Sequence, residues 1–373
     1  MDSALLISRI YSVLALAGGR RWWASAVSGT CTRLTPCLLG VLFCCALCLV
    51  WGVVPVRAGE EPFSGSALVQ DPDAYAGAVA YEGFLSQAGP LPTGSGEDVL
   101  AVVLKYFGKP SCQQVLLGMQ DTARKAGVAL PCAAAGSEFD EQGQRARVAE
   151  ALAGAPRVLV LSPLVEGNLS GLTVPGATIL LYVDDVPQEG VTYYVGSNHY
   201  RCGTQAGELL TARFPGRGAV AVLTGRKESY SSRQRALGFQ ATVTASGFTV
   251  ASEIECSWDQ HQAYQATVGL MRQYPDLRAI YCVNDTMAIG AAHAVRLEGG
   301  GSRIAIFGTG GSPQALGAVQ SGLLAGTVDC HSWAIGAASL DIALRLARGL
   351  QAPRVVHITS RGVSALYAGQ EAE

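Results

Sequence analysis

The sequence predicts an α/β protein built on parallel sheets. Three observations lead there. After Asp98, short apolar runs alternate with amphipathic stretches of helical length. The first such stretch, "CQQVLLGMQDTARKAG", closes on glycine as helices tend to. The length, 373 residues, suggests two lobes or domains plus something smaller. Short buried strands separated by helices pair in parallel through right-handed crossovers.

The elements follow in order. A strand is read over Val99 to Leu104 ("VLAVVL"), then a helix over Cys112 to Gly127. Further strands are expected at Val128 to Ala133, Arg157 to Leu161, Thr178 to Tyr182, Ala219 to Leu223, Thr249 to Ile254, Ala279 to Val283, Arg303 to Phe307 and Leu324 to Asp329. Helices are expected between them, over Gln142 to Ala153, Gly203 to Ala212, Ser231 to Ala245, Gln260 to Tyr274, Thr286 to Leu297 and Ser312 to Ser321.

The chain before Asp98 is different. Residues Thr35 to Val56 form an apolar run with Arg33 before it and "RAGEE" after it. Val56 and Ala58 satisfy the small-residue rule for signal peptidase, with a cut expected between Ala58 and Gly59. The run is also nearly long enough to span a bilayer, so residues 1–58 read as an amino-terminal region with a signal peptide or a membrane anchor. Lipid attachment at Cys44, Cys45 or Cys48 lacks a clean motif. Residues 59–97, rich in Gly, Ala, Ser and Pro, read as a flexible linker, with a loosely packed arm preferred over a short helix in its middle.

Composition excludes some functions. Hydrophobic residues make up 49% and charged residues 15%, so the chain is not disordered. A net charge of -2 argues against phosphate neutralisation, and no nucleic-acid partner is expected. Of eleven cysteines, Cys112, Cys132, Cys202, Cys256, Cys282 and Cys330 follow residue 100, in settings that suit small buried hydrophobes better than disulfides. No G-x-S-x-G, P-loop, HExxH or zinc-type spacing occurs, so no enzyme, metal or cofactor is expected. "GTGG" at Gly308 to Gly311 lacks the Lys and Ser/Thr of a phosphate loop; glycine there lets the chain turn.

In "RAIYCVNDTMAIGAA" (278–292), Asn284 and Asp285 stand where a strand gives way to a helix. Ligands of open parallel sheets bind at such strand ends. Either residue is also a ready helix cap, and for Asp285 capping is the preferred reading.

The chain from about Asp98 to Val363 resembles the periplasmic sugar-binding proteins of ABC transporters, of the ribose and galactose type, which share their fold with effector domains of lactose-repressor-like regulators. The resemblance rests on "VGSNHYRCGTQAGELL", "GAVAVLTGRKESYSSRQRALGF", "SWDQHQAYQAT", "YPDLRAIYCVNDTMAIGAAHA" and "IFGTGGSPQALGAVQSGLLAGTV", in that order and spacing. It implies the type I periplasmic-binding fold: two doubly wound parallel-sheet lobes joined by a three-segment hinge, with the ligand enclosed between them. Lobe 1 would be residues 98–197 plus 331–356, and lobe 2 residues 198–330 plus 357–373, with crossings near Ser197, Cys330 and Val356.

The resemblance also implies a site. Arg235 matches the arginine that forks onto sugar hydroxyls. Trp258 matches the aromatic that stacks on the C–H side of a sugar ring. Asn284 matches the amide that both donates and accepts. Asp184 or Asp185 matches the family's acid after the fourth strand, uncertain by one residue.

Elsewhere the chain departs from the family. Gly310 stands where an acid is frequent, and Cys330 where the hinge glutamine falls. In "KYFGKPSC", Lys109, Ser111 and Cys112 replace the asparagine and aromatics of the ribose type, with Tyr106 and Phe107 close by. A buried hydroxyl without a partner costs on the order of 1–3 kcal/mol, so losing the acid weakens such a sugar or signals another ligand. Lys109 offers charge to an acidic or phosphorylated ligand, or is a solvated loop lysine.

Together these features predict an exported protein, periplasmic or on the outer face of the cytoplasmic membrane. It takes a small polar, sugar-like ligand and delivers it to an ABC transporter membrane permease. The alternative is a sensor docking on a chemoreceptor. A transcription regulator would need a basic helix-turn-helix where the export signal stands.

Overall fold

The apolar runs gather into two sheets. The computed structural model describes residues 78–92, 100–165, 171–186, 193–214, 217–299 and 303–364, so the expected signal or anchor segment lies outside them.

The first sheet holds β1 (Val79–Ala80), β2 (Leu100–Leu104), β3 (Cys132–Ala134), β4 (Val158–Leu161), β5 (Ile179–Val183), β6 (Tyr193–Gly196) and β12 (Val355–His357), in the order β1-β12-β6-β5-β4-β2-β3. Its pairs are all parallel. The second holds β7 (Ala219–Thr224), β8 (Thr249–Glu255), β9 (Leu277–Cys282), β10 (Ala305–Phe307), β11 (Gly326–Asp329) and β13 (Arg361–Ser364), in the order β13-β11-β10-β9-β7-β8. Only β13 runs antiparallel. In each sheet the order reverses beside β2 or β7, and the loops leaving these neighbouring strands splay apart into a crevice.

Helices cover the sheets: α1 (Tyr81–Ala88), α2 (Pro110–Ala126), α3 (Glu141–Ala153), α4 (His199–Arg213), α5 (Tyr230–Ala245), α6 (Gln260–Gln273), α7 (Asp285–Leu297), α8 (Pro313–Gln320) and α9 (Ser332–Ala347). Several starts are fixed by their own sequence. Asp140 Oδ1 accepts from the Gly143 N–H, Asn198 Oδ1 from Arg201 and Asp259 Oδ1 from Gln262. Gly127, at φ 69°, ends α2 in the left-handed turn that glycine adopts freely.

Alternation along β2 sends Val102 and Leu104 to one core, with α2 and α9, and Val103 to another, with Leu159, Tyr182 and Tyr194. A third core lies within the second sheet's layers, around Phe239, Tyr281 and Phe307. Each fully buried Val, Leu or Phe side chain contributes roughly 1.5–3 kcal/mol.

Close helix pairs support both sheets. A Cβ on Gly118 would meet the Trp333 carbonyl oxygen at 2.0 Å, and one on Gly336 the Val115 carbonyl oxygen at 1.9 Å, so α2 and α9 touch through backbone. Gly203 and Gly238 do the same for α4 and α5, each 2.1 Å from a facing carbonyl oxygen.

The chain passes between sheets after β6, after β11 and after β12. Several expectations need correction. Residues 78–92, expected as linker or loose arm, carry β1 and α1, because Val79 and Ala80 pair with Val356 and His357 and extend the first sheet. Phe84 and Leu91 pack on its core. His357, assigned to the second lobe, also pairs in the first sheet. The strand expected over Val128 to Ala133 is only Cys132–Ala134. Helix α9 and strands β6, β12 and β13 were not among the expected elements at all. Among the described residues the six cysteines are free; Cys112 and Cys132 are half-buried and the rest buried.

Candidate functional site

The loops at the carboxyl ends of both sheets face one another across a cleft of about 350 Å³. Its lining includes Tyr106, Lys109 and Asp184 from the first lobe, and Arg235, Trp258, Asn284 and Gly310 from the second, with Cys330 at the crossing. The volume suits a ligand of monosaccharide size.

Trp258 sits on a strained turn. Ser257 and Trp258 have φ of 48° and 66°, which β-carbon-bearing residues seldom adopt. The turn is held at both ends: the Cys256 N–H donates to the Thr224 carbonyl at 2.8 Å, and Asp259 caps α6. Lys109 Nζ reaches across from the first lobe to 5.3 Å from the ring centroid.

Arg235, 8% exposed, lies along α5. One terminal nitrogen donates to the Val283 carbonyl at 3.0 Å, while Nε has no partner. A buried guanidinium N–H without an acceptor is costly, and a ligand oxygen would satisfy it.

Asn284, not Asp285, caps α7, its Oδ1 accepting from the Met287 N–H at 2.9 Å. The capping preference for Asp285 is thereby corrected. With one side of Oδ1 engaged, the Asn284 NH₂ is the group left to donate. Asp285 is buried and accepts from Thr327 Oγ1 at 2.6 Å and from the Ser312 N–H at 2.7 Å, joining the loops after β9 and β10 to β11. Burial pushes its carboxyl above the usual range, against the lowering effect of those donors.

The same carboxylate explains Gly310. That residue has φ 144°, and a Cβ on it would lie 2.9 Å from Asp285 Oδ2. An acid at this position is therefore excluded twice, by backbone conformation and by Asp285.

Of the paired aspartates only Asp184 faces the cleft. It adopts φ 59°, accepts on its carbonyl from His199 Nε2 at 2.6 Å, and leaves Oδ1 without a hydrogen bond. Asp185 is turned away, 3% exposed, and bonded to Lys105 and Ser231. Phe107 also misses the cleft: its ring packs on the first-sheet core and its carbonyl accepts from Gln113. Both expectations are corrected. The left-handed turn at Asp184, just past the end of β5, sends the two carboxylates different ways, so only one of the pair serves the cleft.

Lys109 is not a spare cation, because Glu138 pairs with it. Burial holds its pKa below the ordinary lysine range, with Glu138 acting the other way. Arg226 pairs with Glu141 at 2.6 Å, and Lys105 with Asp185. Cys330 Sγ lies 3.6 Å from Cys202 Sγ and is 2% exposed. Sequence reasoning missed Glu138, Arg226, Ser229, Ser231 and Asp329, all lining the cleft. Glu138, Arg226 and Ser231 take partners more than 25 residues away, in Lys109, Glu141 and Asp185, and no local pattern announces those contacts.

Two facing lobes that close on a polar, aromatic-walled cleft define a solute-binding protein. The chain belongs to the periplasmic binding protein domain family, whose model matches residues 100–351. It is 27% identical over 255 residues to the D-allose-binding periplasmic protein of Escherichia coli K12, covering 65% of this chain and 82% of that one. It is 26% identical over 258 residues to the ribose import binding protein of Salmonella typhimurium LT2, covering 68% and 86%. In fold it is similar to a carbohydrate transporter solute-binding protein of Agrobacterium radiobacter solved with D-arabinose, with a TM-score of 0.68, 20% identity and coverage of 74% and 97%.

Proposed function

We propose that this chain is an exported solute-binding protein that encloses a neutral, hydroxyl-rich ligand, a sugar or a close analogue, and delivers it to an ABC transporter permease. The observation carrying this reading is the convergence of Arg235, Trp258, Asn284 and Asp184 on one cleft of about 350 Å³. Together they offer a buried guanidinium N–H without an acceptor, a flat apolar face, an amide NH₂ and a carboxylate. A polyol needs that mixture of donors and acceptors.

The balance of charge supports a neutral ligand over a phosphorylated one. Lys105, Lys109 and Arg226 are each held by a carboxylate. An anion could pair with one of these three only by displacing its carboxylate, which leaves Arg235 as the cleft cation with no carboxylate bonded to it among the described residues. In this reading the lobes divide at residues 197–198, 330–331 and 358–360, and closure brings Asp184 and Tyr106 over a ligand held by the second lobe. The relatives named for allose and ribose agree with it.

The test is a thermal-shift panel of D-allose, D-ribose, other neutral aldoses, inositols and sugar phosphates on the purified chain, followed by calorimetry. A neutral member should raise the melting temperature and bind with micromolar or tighter affinity. A response confined to sugar phosphates would overturn the neutral-ligand reading. A response to none, with a chemoreceptor but no permease captured by the protein, would favour signalling over transport.

A further inference from the structure

Helix α5 starts without a cap of its own. Ser229 stands at its N-cap position, yet its side chain makes no capping bond. The bond is made from the other lobe. Asp185 Oδ1 accepts from the Ser231 N–H at 3.0 Å and Oδ2 from Ser231 Oγ at 3.0 Å, with Ser229 Oγ at 3.5 Å. Asp185 follows β5 of the first sheet, whereas Ser231 opens a helix packed on the second. Lys105, after β2, binds the same carboxylate from behind.

We propose that Asp185 is a positioning residue that latches the two lobes together by capping α5 across the cleft, without touching the ligand. Capping normally comes from the residue preceding a helix, and a carboxylate there also meets the positive end of the helix dipole. Placing the capping group on the opposite lobe makes the bond conditional on closure. When the lobes part, the Ser231 N–H loses its acceptor. Arg226, in the turn before α5, makes a second contact to the first lobe, binding Glu141 Oε1 at 2.6 Å and the Glu138 carbonyl at 3.4 Å. The closed arrangement is thereby favoured before any ligand enters, and the ligand meets a cleft already partly organised. The effect on affinity rests on the sugar-binding reading; the latch itself does not.

Hydrogen exchange read by mass spectrometry on the ligand-free chain tests it. Peptides covering Ser229 to Gln234 should exchange at least tenfold faster in Asp185→Ala than in wild type, and the radius of gyration from small-angle scattering should increase. Removing Asp185 alone strands Lys105, so Lys105→Met/Asp185→Ala is measured beside it. Stability should return in the double variant while exchange at α5 stays fast and the scattering stays expanded. A purely structural role would instead restore all three. Equal exchange in wild type and Asp185→Ala, or slow exchange in the double variant, would overturn the latch. With D-allose and D-ribose as probes, whichever sugar binds wild type should bind the double variant at least tenfold more weakly. If neither binds but the exchange contrast holds, the sugar reading fails and the latch stands; if a sugar binds with no contrast, the reverse.

Discussion

A Cβ on Gly225 would lie 2.2 Å from Cε2 of Trp258, so the indole fills the space this glycine leaves open. Gly225 is not among the residues with positive φ, so its backbone tolerates alanine and only the contact with the ring is lost. Gly225→Ala should displace the indole and weaken sugar binding at least tenfold. Trp258→Ala should remove most of the affinity. The double variant should bind no worse than Trp258→Ala alone, because both changes act on one ring. Calorimetry on the three variants checks this; additive losses would separate Gly225 from the ring.

Arg235 serves both fold and ligand. Replacing it by alanine leaves the Val283 carbonyl without its donor, which costs about 1–3 kcal/mol. Thermal denaturation should show the loss. Arg235→Lys keeps the charge but not the fork, so it should recover part of the stability and little of the affinity.

Closure should depend on acidity. Burial acts to raise the Asp185 carboxyl, but Lys105, His199 and the Ser231 N–H together hold it below the usual carboxylate range. Lys105 is raised, mainly by Asp185 against the lowering effect of burial, with Asp184 and Cys112 also facing it. A depressed carboxyl contributes stability above its ordinary pKa, about 4, and loses it as pH falls through the depressed value. A raised lysine contributes below its ordinary value and loses it as pH rises through the higher one. Scattering should therefore show a constant closed form from about pH 5 to 9, and opening only toward more acidic or strongly alkaline solution. Opening within that range would separate closure from the Asp185–Lys105 pair.

The touching helices should not tolerate side chains. Gly336→Val places atoms against the Val115 carbonyl and should force α9 off α2, at about 1–3 kcal/mol or more. A change within 0.5 kcal/mol in urea denaturation would show that the contact gives way freely.

The central strands were legible as unbroken apolar runs because both faces of the sheets are covered, and the amphipathic helices because burial on one face writes a period into the sequence. Helix α9 was not, since nearly every residue from Ile335 to Ala347 is buried and no polar face marks its turns. Strands β12 and β13 are too short to carry a pattern. In the cleft, Arg235, Trp258 and Asn284 were readable only through the family resemblance that the motifs carry. The choice between Asp184 and Asp185 was not, because it depends on Lys105 and Ser231, brought near only by folding. The reason for Gly310 was equally hidden, lying in a carboxylate from another loop.

Helix α9 and strand β12 complete the first sheet but come after every parallel strand of the second. The portion begun first during synthesis is thus finished last. When residue 329 has left the ribosome, the carboxy-terminal layers lack only an edge strand, while the amino-terminal ones still miss their most deeply enclosed helix. Nascent chains stalled there would expose an apolar trough shaped for residues not yet made, which is where a holding chaperone would act.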